Sequence, residues 1–515
     1  MKLTIATAAA LLCVLMTSLV GTARASTSFG VVESSSKGAD GGVLFFSTLT
    51  DLGMTENQVV VSWDPKNPDT IQGQADLDYW LPQAALAGIN ITFAVVPAHA
   101  GDLSATRLAP AQFAAYLRLL AKTYPQVKSY VVGNEPNLNF FWRPQYKGKK
   151  PIAAAAYEKL LAKSYDALKS VDPSIDVLGV GLSPRGNDNP RAASNVSRSP
   201  VRFIRELGLA YRASKRTKPI MDELAFHPYP RQNTDPLAAG YLWPNAGLSN
   251  LDRVKQALWD AFNGTGQPTV AESASSDDNG LTLNLGEIGW QVSVPSSAKD
   301  AYFGRETVRT ISEAKQAKIY SDVVYKMSCD PAVSSVNFFH LADEANLDRW
   351  QSGLMRADGT KRPSYGAVKA AIADTHGDCS GVLTSWRHAV SVIGARVRFG
   401  RAVPVSPRRL RWGFAVSVRE DAGFRAALLR VTGSQQAAVR TATIGRALAR
   451  GRVAGALLAT KGAAAANHTM NVKFRNRRLS PGTYVYAIRL TAAMNPKRAS
   501  VFVSRPFVVR SSVRR

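Results

Sequence analysis

The chain has 515 residues, 45% of them hydrophobic, and a formal net charge of +26 from 64 Lys and Arg against 38 Asp and Glu. That length exceeds what one hydrophobic core usually organises, which excludes a single small domain and predicts two or more. The charge is uneven: residues 381–515 hold 26 basic residues and only two acids, Glu420 and Asp421, whereas residues 26–380 are balanced at 36 of each. A neutral front part and a cationic back part are modules of different kinds.

The first 25 residues have the pattern of a secretory signal: Lys2, an apolar run from Ala8 to Val20, then the small-residue site Ala23-Arg24-Ala25. The alternative is a membrane anchor, but the run falls short of the ~20 residues a spanning helix needs. No later segment is long and apolar enough to span a bilayer, so the expectation is a secreted mature chain. Cys13 would leave with the signal. The remaining Cys329 and Cys379 are predicted to form one disulfide, closing a loop of about 50 residues. Neither has a CxxC partner or nearby His ligand spacing, so no metal site is expected.

From residue 29 to 379, short apolar runs alternate with amphipathic helical stretches, the pattern of a parallel sheet wrapped by helices. The predicted strands are 29–33, 57–63, 89–96, 129–133, 176–181, 223–226, 281–285 and 335–339. Between them, residues 110–120 and 157–171 place apolar side chains three and four apart. Pro151 opens the second of these regions and Asp172-Pro173 closes it. Residues 363–373 supply a closing helix. Eight strand–helix pairs predict a (β/α)₈ TIM barrel over residues 26–380. An open doubly wound sheet is the alternative, but no glycine-rich phosphate turn follows the first strand.

Beyond residue 380 the helical period fades. Short alternating strands appear at 412–418, 482–487 and 501–509, with turn signals between them, as in a small antiparallel sandwich over residues 381–515. The stretch 454–466 is alanine-rich and carries no clear period. The Ser480-Pro481-Gly482-Thr483-Tyr484 strand entry resembles immunoglobulin-like or fibronectin-like modules of bacterial exported proteins.

In a TIM barrel, chemistry is carried by the residues at the C-terminal ends of the strands. Strand four ends Gly133-Asn134-Glu135-Pro136, strand six ends His227-Pro228-Tyr229, and strand seven ends Gly286-Glu287-Ile288-Gly289-Trp290. This set resembles clan A of the glycoside hydrolases, with families 5 and 39 nearest in overall look. The resemblance implies Glu135 as acid/base, Glu287 as nucleophile, and Asn134 as partner of the sugar 2-hydroxyl. His227 and Tyr229 would be the strand-six groups. It implies retaining hydrolysis of β-linked carbohydrate with no cofactor, the two carboxyl groups standing about 5–5.5 Å apart. Glu135 is expected to hold its proton, raised by the charge of Glu287 and partial desolvation, and Glu287 to stay ionised. One departure is plain: strand two reads Val59-Val60-Val61-Ser62-Trp63, without the arginine that many members carry there to support the nucleophile.

Several readings stay open. Glu272, also following a short apolar run, competes with Glu287 as nucleophile. Trp63, Trp290 and Trp350 either stack on sugar rings or pack beneath the loops. Phe140-Phe141-Trp142 shapes a subsite wall or covers the rim, and His99 and His340, both just past strands, lean towards structural roles or roles supporting the site rather than catalytic ones. The basic module is expected to bind an anionic cell-envelope polymer or an acidic polysaccharide, with no nucleic-acid motif in view. The competing whole-chain reading is a non-catalytic carbohydrate- or wall-binding protein on a degenerate barrel.

Overall fold

In the computed structural model, the described residues are 27–35, 37–272, 280–375, 386–400, 403–406, 409–411, 413–431, 446–450, 456–475 and 479–510. The expected signal at 1–25 and Cys379 lie outside them. Eight strands form a closed, all-parallel barrel: β1 (Ser28–Val32), β2 (Glu56–Trp63), β3 (Asn90–Pro97), β4 (Ser129–Val132), β5 (Asp176–Leu182), β6 (Glu223–Phe226), β7 (Thr282–Ile288) and β8 (Val333–Phe339). Closure is made by β1 pairing with both β2 and β8, with Gly30 opposite Asn337 and Glu56. Gly30 is required by that close approach, because a Cβ there would lie 2.2 Å from the Glu56 carbonyl oxygen.

The strands are rich in Val, Ile, Leu and Phe on both faces because interior packing covers one face and helices the other. A helix follows each strand: α1 (Val43–Leu52), α2 (Gln74–Leu86), α3 (Ala109–Thr123), α4 (Ala153–Lys169), α5 (Pro200–Ser214), α6 (Leu251–Phe262), α7 (Glu313–Met327) and α8 (Pro363–Thr375). In α3, Phe113, Tyr116, Leu117 and Leu120 form the buried stripe that the sequence spacing predicted. Proline at the first turn of α3 and α5 starts each helix where a missing N–H costs nothing.

Beyond the barrel the described strands pair antiparallel: β9 (Arg396–Phe399), β10 (Val403–Ser406), β11 (Arg409–Arg411), β12 (Gly413–Ser417), β13 (Ala422–Val431), β14 (Ala456–Ala464), β15 (Thr469–Lys473), β16 (Gly482–Ala492), β17 (Ala499–Val503) and β18 (Phe507–Val509). A sheet ordered β9-β12-β15 faces a larger one ordered β14-β13-β16-β17, with β18 also on β16. Phe414, Val416 and Val472 from the first meet Phe424, Leu428, Tyr486 and Ile488 from the second in one core. The alanine-rich stretch without clear period is therefore strand β14, specified by its ten-residue partner β13 rather than by its own composition.

Barrel and sandwich meet at a charged seam. Buried Arg498 donates to Asp260 on α6 and to Glu420 in the sandwich. Arg202 on α5 bridges Asp188 and Asp421. Among the described residues, no helix is long and apolar enough to cross a membrane.

Candidate active site

The C-terminal ends of β4, β6, β7 and β8 bring Glu135, His227, Tyr229, Glu287 and His340 to one mouth of the barrel. Observed β7 runs three residues past its predicted end, so Glu287 projects from the strand itself. Glu135 sits in a tight turn after β4 with φ of +36°, a conformation a non-glycine residue adopts only under strain.

A bulge in β5 holds that turn. The register shifts between Val180 and Leu182, and Val180 and Gly181 both have positive φ. The buried Tyr157 hydroxyl donates to the Val132 carbonyl at 2.6 Å and accepts from the Val180 N–H at 2.7 Å, clamping β4 to the bulge. The freed Gly181 carbonyl then accepts the Glu135 N–H at 2.8 Å. Bulges of this kind re-aim side chains next to active sites.

His227, 1% exposed, joins the two carboxyl groups. Its Nδ1 shares a hydrogen bond with Glu135 Oε1 at 3.2 Å and lies 3.6 Å from Glu287 Oε2. These distances limit the gap between the two oxygens to below about 7 Å. Tyr229 Oη donates to Glu287 Oε2 at 2.9 Å. The Glu135 and Glu287 side chains keep 12% and 16% exposure, so both open to solvent while His227 lies beneath them.

Electrostatics ties the groups into one unit. Burial pushes Glu287 above the usual carboxylate range, as does the neighbouring charge of Glu135, while His227, Tyr229 and His340 pull it down. Burial would lower His227, but the charges of Glu287 and Glu135 outweigh it and raise the imidazole overall. Burial and the Glu287 charge hold the Tyr229 phenol protonated.

The strand-two arginine has no counterpart on β2, and His340, just past β8, is one of the groups that bear on Glu287. Its Nδ1–H donates to the Val32 carbonyl at 2.8 Å and lies 3.6 Å from the buried Glu33 carboxylate. A supporting place beside the site is what its position just past the eighth strand suggests.

The remaining candidates divide. Asn134 is half-buried beside the site, its Oδ1 3.6 Å from the position a Cβ would take on Gly181. Trp350 packs on Tyr229 with ring centroids 4.9 Å apart and stays partly exposed. Trp63 and Trp290 are corrections as sugar platforms: at 0% and 2% exposure, packed on Phe113 and Tyr320, they offer no open ring face. Phe140, five residues after Glu135, is 72% exposed and keeps an open ring, whereas Trp142 is buried. Glu272 is exposed and bonded to His388 in the segment joining barrel and sandwich, apart from the strand-end cluster. Cys329 is buried after α7. Among the described residues, no group of three His, Cys, Asp or Glu is placed to hold a metal ion.

No protein-family model and no curated protein sequence matches the chain. Solved structures do. A family 39 glycoside hydrolase from the gut symbiont Bacteroides cellulosilyticus WH2 overlaps at TM-score 0.47 and 15% identity, covering 78% of this chain and 74% of that one. A glucosidase from Croceicoccus marinus gives TM-score 0.45 and 14% identity, with coverage of 86% and 92%. A family 39 β-xylosidase from Caulobacter crescentus gives TM-score 0.44 and 14% identity, with coverage of 88% and 96%. None of the three bears on what this chain does.

Proposed function

We propose that the chain is a secreted retaining glycoside hydrolase that cleaves β-linked O-glycosidic bonds by double displacement. The observation that carries this reading is the carboxyl pair Glu135 and Glu287, drawn together by His227 Nδ1 at the mouth of the barrel. Glu287 attacks the anomeric carbon while Glu135 gives its proton to the departing glycosidic oxygen. Glu135, now a carboxylate, then takes a proton from water as that water displaces Glu287. Tyr229 holds the attacking oxygen in place, and Trp350 and Phe140 supply aromatic surface for sugar rings. Asn134 is assigned to the 2-hydroxyl. The reaction calls for no cofactor.

Export rests on the signal pattern at residues 1–25, and a Cys329–Cys379 disulfide belongs with it. The basic module is assigned to an anionic cell-envelope polymer. A non-catalytic binder is the alternative, but the coupled carboxyl–imidazole cluster is what turnover needs, and a binder has no evident use for it.

The deciding experiment is azide rescue on an activated aryl β-glycoside. Glu287→Gly is expected to yield the α-glycosyl azide, and Glu135→Ala the β-glycosyl azide. Rescue absent in both variants, with a wild type inactive across a broad glycoside panel, would sink the catalytic reading. Labelling of Glu272 rather than Glu287 by a 2-deoxy-2-fluoro glycoside would overturn the nucleophile assignment.

A further inference from the structure

The sandwich carries 24 more basic than acidic residues in the span 381–515, and its two acids are already committed. Glu420 accepts from Arg498 and from the Ile393 N–H. Asp421 accepts from Arg202 of the barrel and from the Ala466 N–H. Cations elsewhere on the module therefore have no acid of their own module to pair with.

The sheet β9-β12-β15 gives some of those cations a shape. Strand alternation sends Phe414, Val416 and Val472 inward, so the alternate positions face out. On that outer face the central strand β12 carries only small residues. Arg396 stands opposite Ser417, and Arg398 stands opposite Ala415, which pairs on its other side with Asn471. Lys473 stands opposite Gly413. Arg396, Arg398, Asn471 and Lys473 are all exposed. Neighbouring strands lie about 4.8 Å apart, so small residues on β12 leave a trough roughly 10 Å between its two ridges. One ridge carries two guanidinium groups, the other an ammonium and an amide.

We propose that this outer face of β9-β12-β15 is a binding groove for a linear saccharide polymer bearing carboxylates. Paired guanidinium groups suit carboxylates, and the amide and hydroxyl side chains suit sugar hydroxyls. The described positions of this face hold no aromatic ring for stacking nucleic-acid bases and no apolar side chain larger than alanine for entering a lipid surface. The inference rests on reading the module as a polyanion binder and is independent of the barrel chemistry.

Titration calorimetry of the full chain tests it, with polygalacturonate as ligand and its methyl ester as the uncharged counterpart. A single-stranded oligonucleotide and anionic phosphatidylglycerol vesicles serve as the competing classes. The expected result is binding to polygalacturonate that weakens at least about tenfold on esterification. Two variants, Arg396→Ala/Arg398→Ala and Ala415→Trp, should each weaken it to a similar degree, the second by filling the trough at constant charge. Lys461→Ala/Arg489→Ala, which removes the same charge from the larger sheet, should leave it nearly unchanged. Equal loss in the Lys461/Arg489 variant would overturn the groove while leaving the module a diffuse polyanion binder. No binding by the wild type, or tighter binding of oligonucleotide or vesicles, would overturn the polymer class itself. Hydrolysis of an aryl glycoside, measured in parallel, reports on the barrel separately.

Discussion

Tyr229 donates its hydroxyl to Glu287 across 2.9 Å, so a phenol from the end of strand six positions a carboxylate from strand seven and favours its ionised form. Tyr229→Phe removes that donor and little volume. A hydrogen bond to a charged group contributes about 1.5–3 kcal/mol, so kcat/KM should fall roughly 10- to 100-fold. Because Tyr229 lowers the Glu287 pKa, its loss should also move the rising acid limb of the pH–rate profile to higher pH. An unchanged limb would show that the hydroxyl does not act through Glu287.

His227 has a raised pKa in the folded chain, so its contribution to stability is present in full below its ordinary value near 6.5. That contribution is lost as pH rises through the folded value. The stability difference between wild type and His227→Gln should therefore be largest below about pH 6.5 and shrink above it. Urea unfolding of both proteins across pH 5–9 would read this directly. A difference that grows with pH would contradict a raised His227 pKa.

Gly286 lies in β7 beside the imidazole, and a Cβ there would stand 3.2 Å from His227 Nε2. Gly286→Ala should press the ring off its position between the two carboxyl groups. The expected outcome is a marked fall in kcat with a melting temperature close to wild type, measured by aryl glycoside assay and calorimetry.

Arg362 is wholly buried and donates to the equally buried Asp343 beside the mouth, with Tyr302 also donating to that carboxylate. Arg362→Ala would strand Asp343 without its cation, and breaking a buried pair in this way costs about 3–5 kcal/mol. The double variant Arg362→Met/Asp343→Asn should recover a large share of that loss in chemical denaturation.

Arg498 holds barrel and sandwich through Asp260 and Glu420 together. Arg498→Ala should leave two buried acids unpaired at the seam and split one thermal transition into two. Calorimetry that keeps a single unshifted transition would show that the seam is held by other contacts.

The barrel was legible in the sequence because its signals are local. Each strand is a short apolar run, each helix a 3.6-residue stripe, and the strand ends that carry chemistry follow from those boundaries. Glu135, His227, Tyr229 and Glu287 could be placed at one mouth without coordinates. The imbalance of charge beyond residue 380 is likewise a property of the chain alone. Other questions depended on long-range contacts that local patterns do not encode. Whether Trp63, Trp290 or Trp350 keeps an open face depends on which helices and loops cover it. Glu272 and Glu287 look alike in sequence, and they part only because Glu272 meets His388, 116 residues away. Strand β14 forms because β13 offers it an edge. His340, just past the eighth strand, reaches the mouth because closing the barrel sets β8 next to β1.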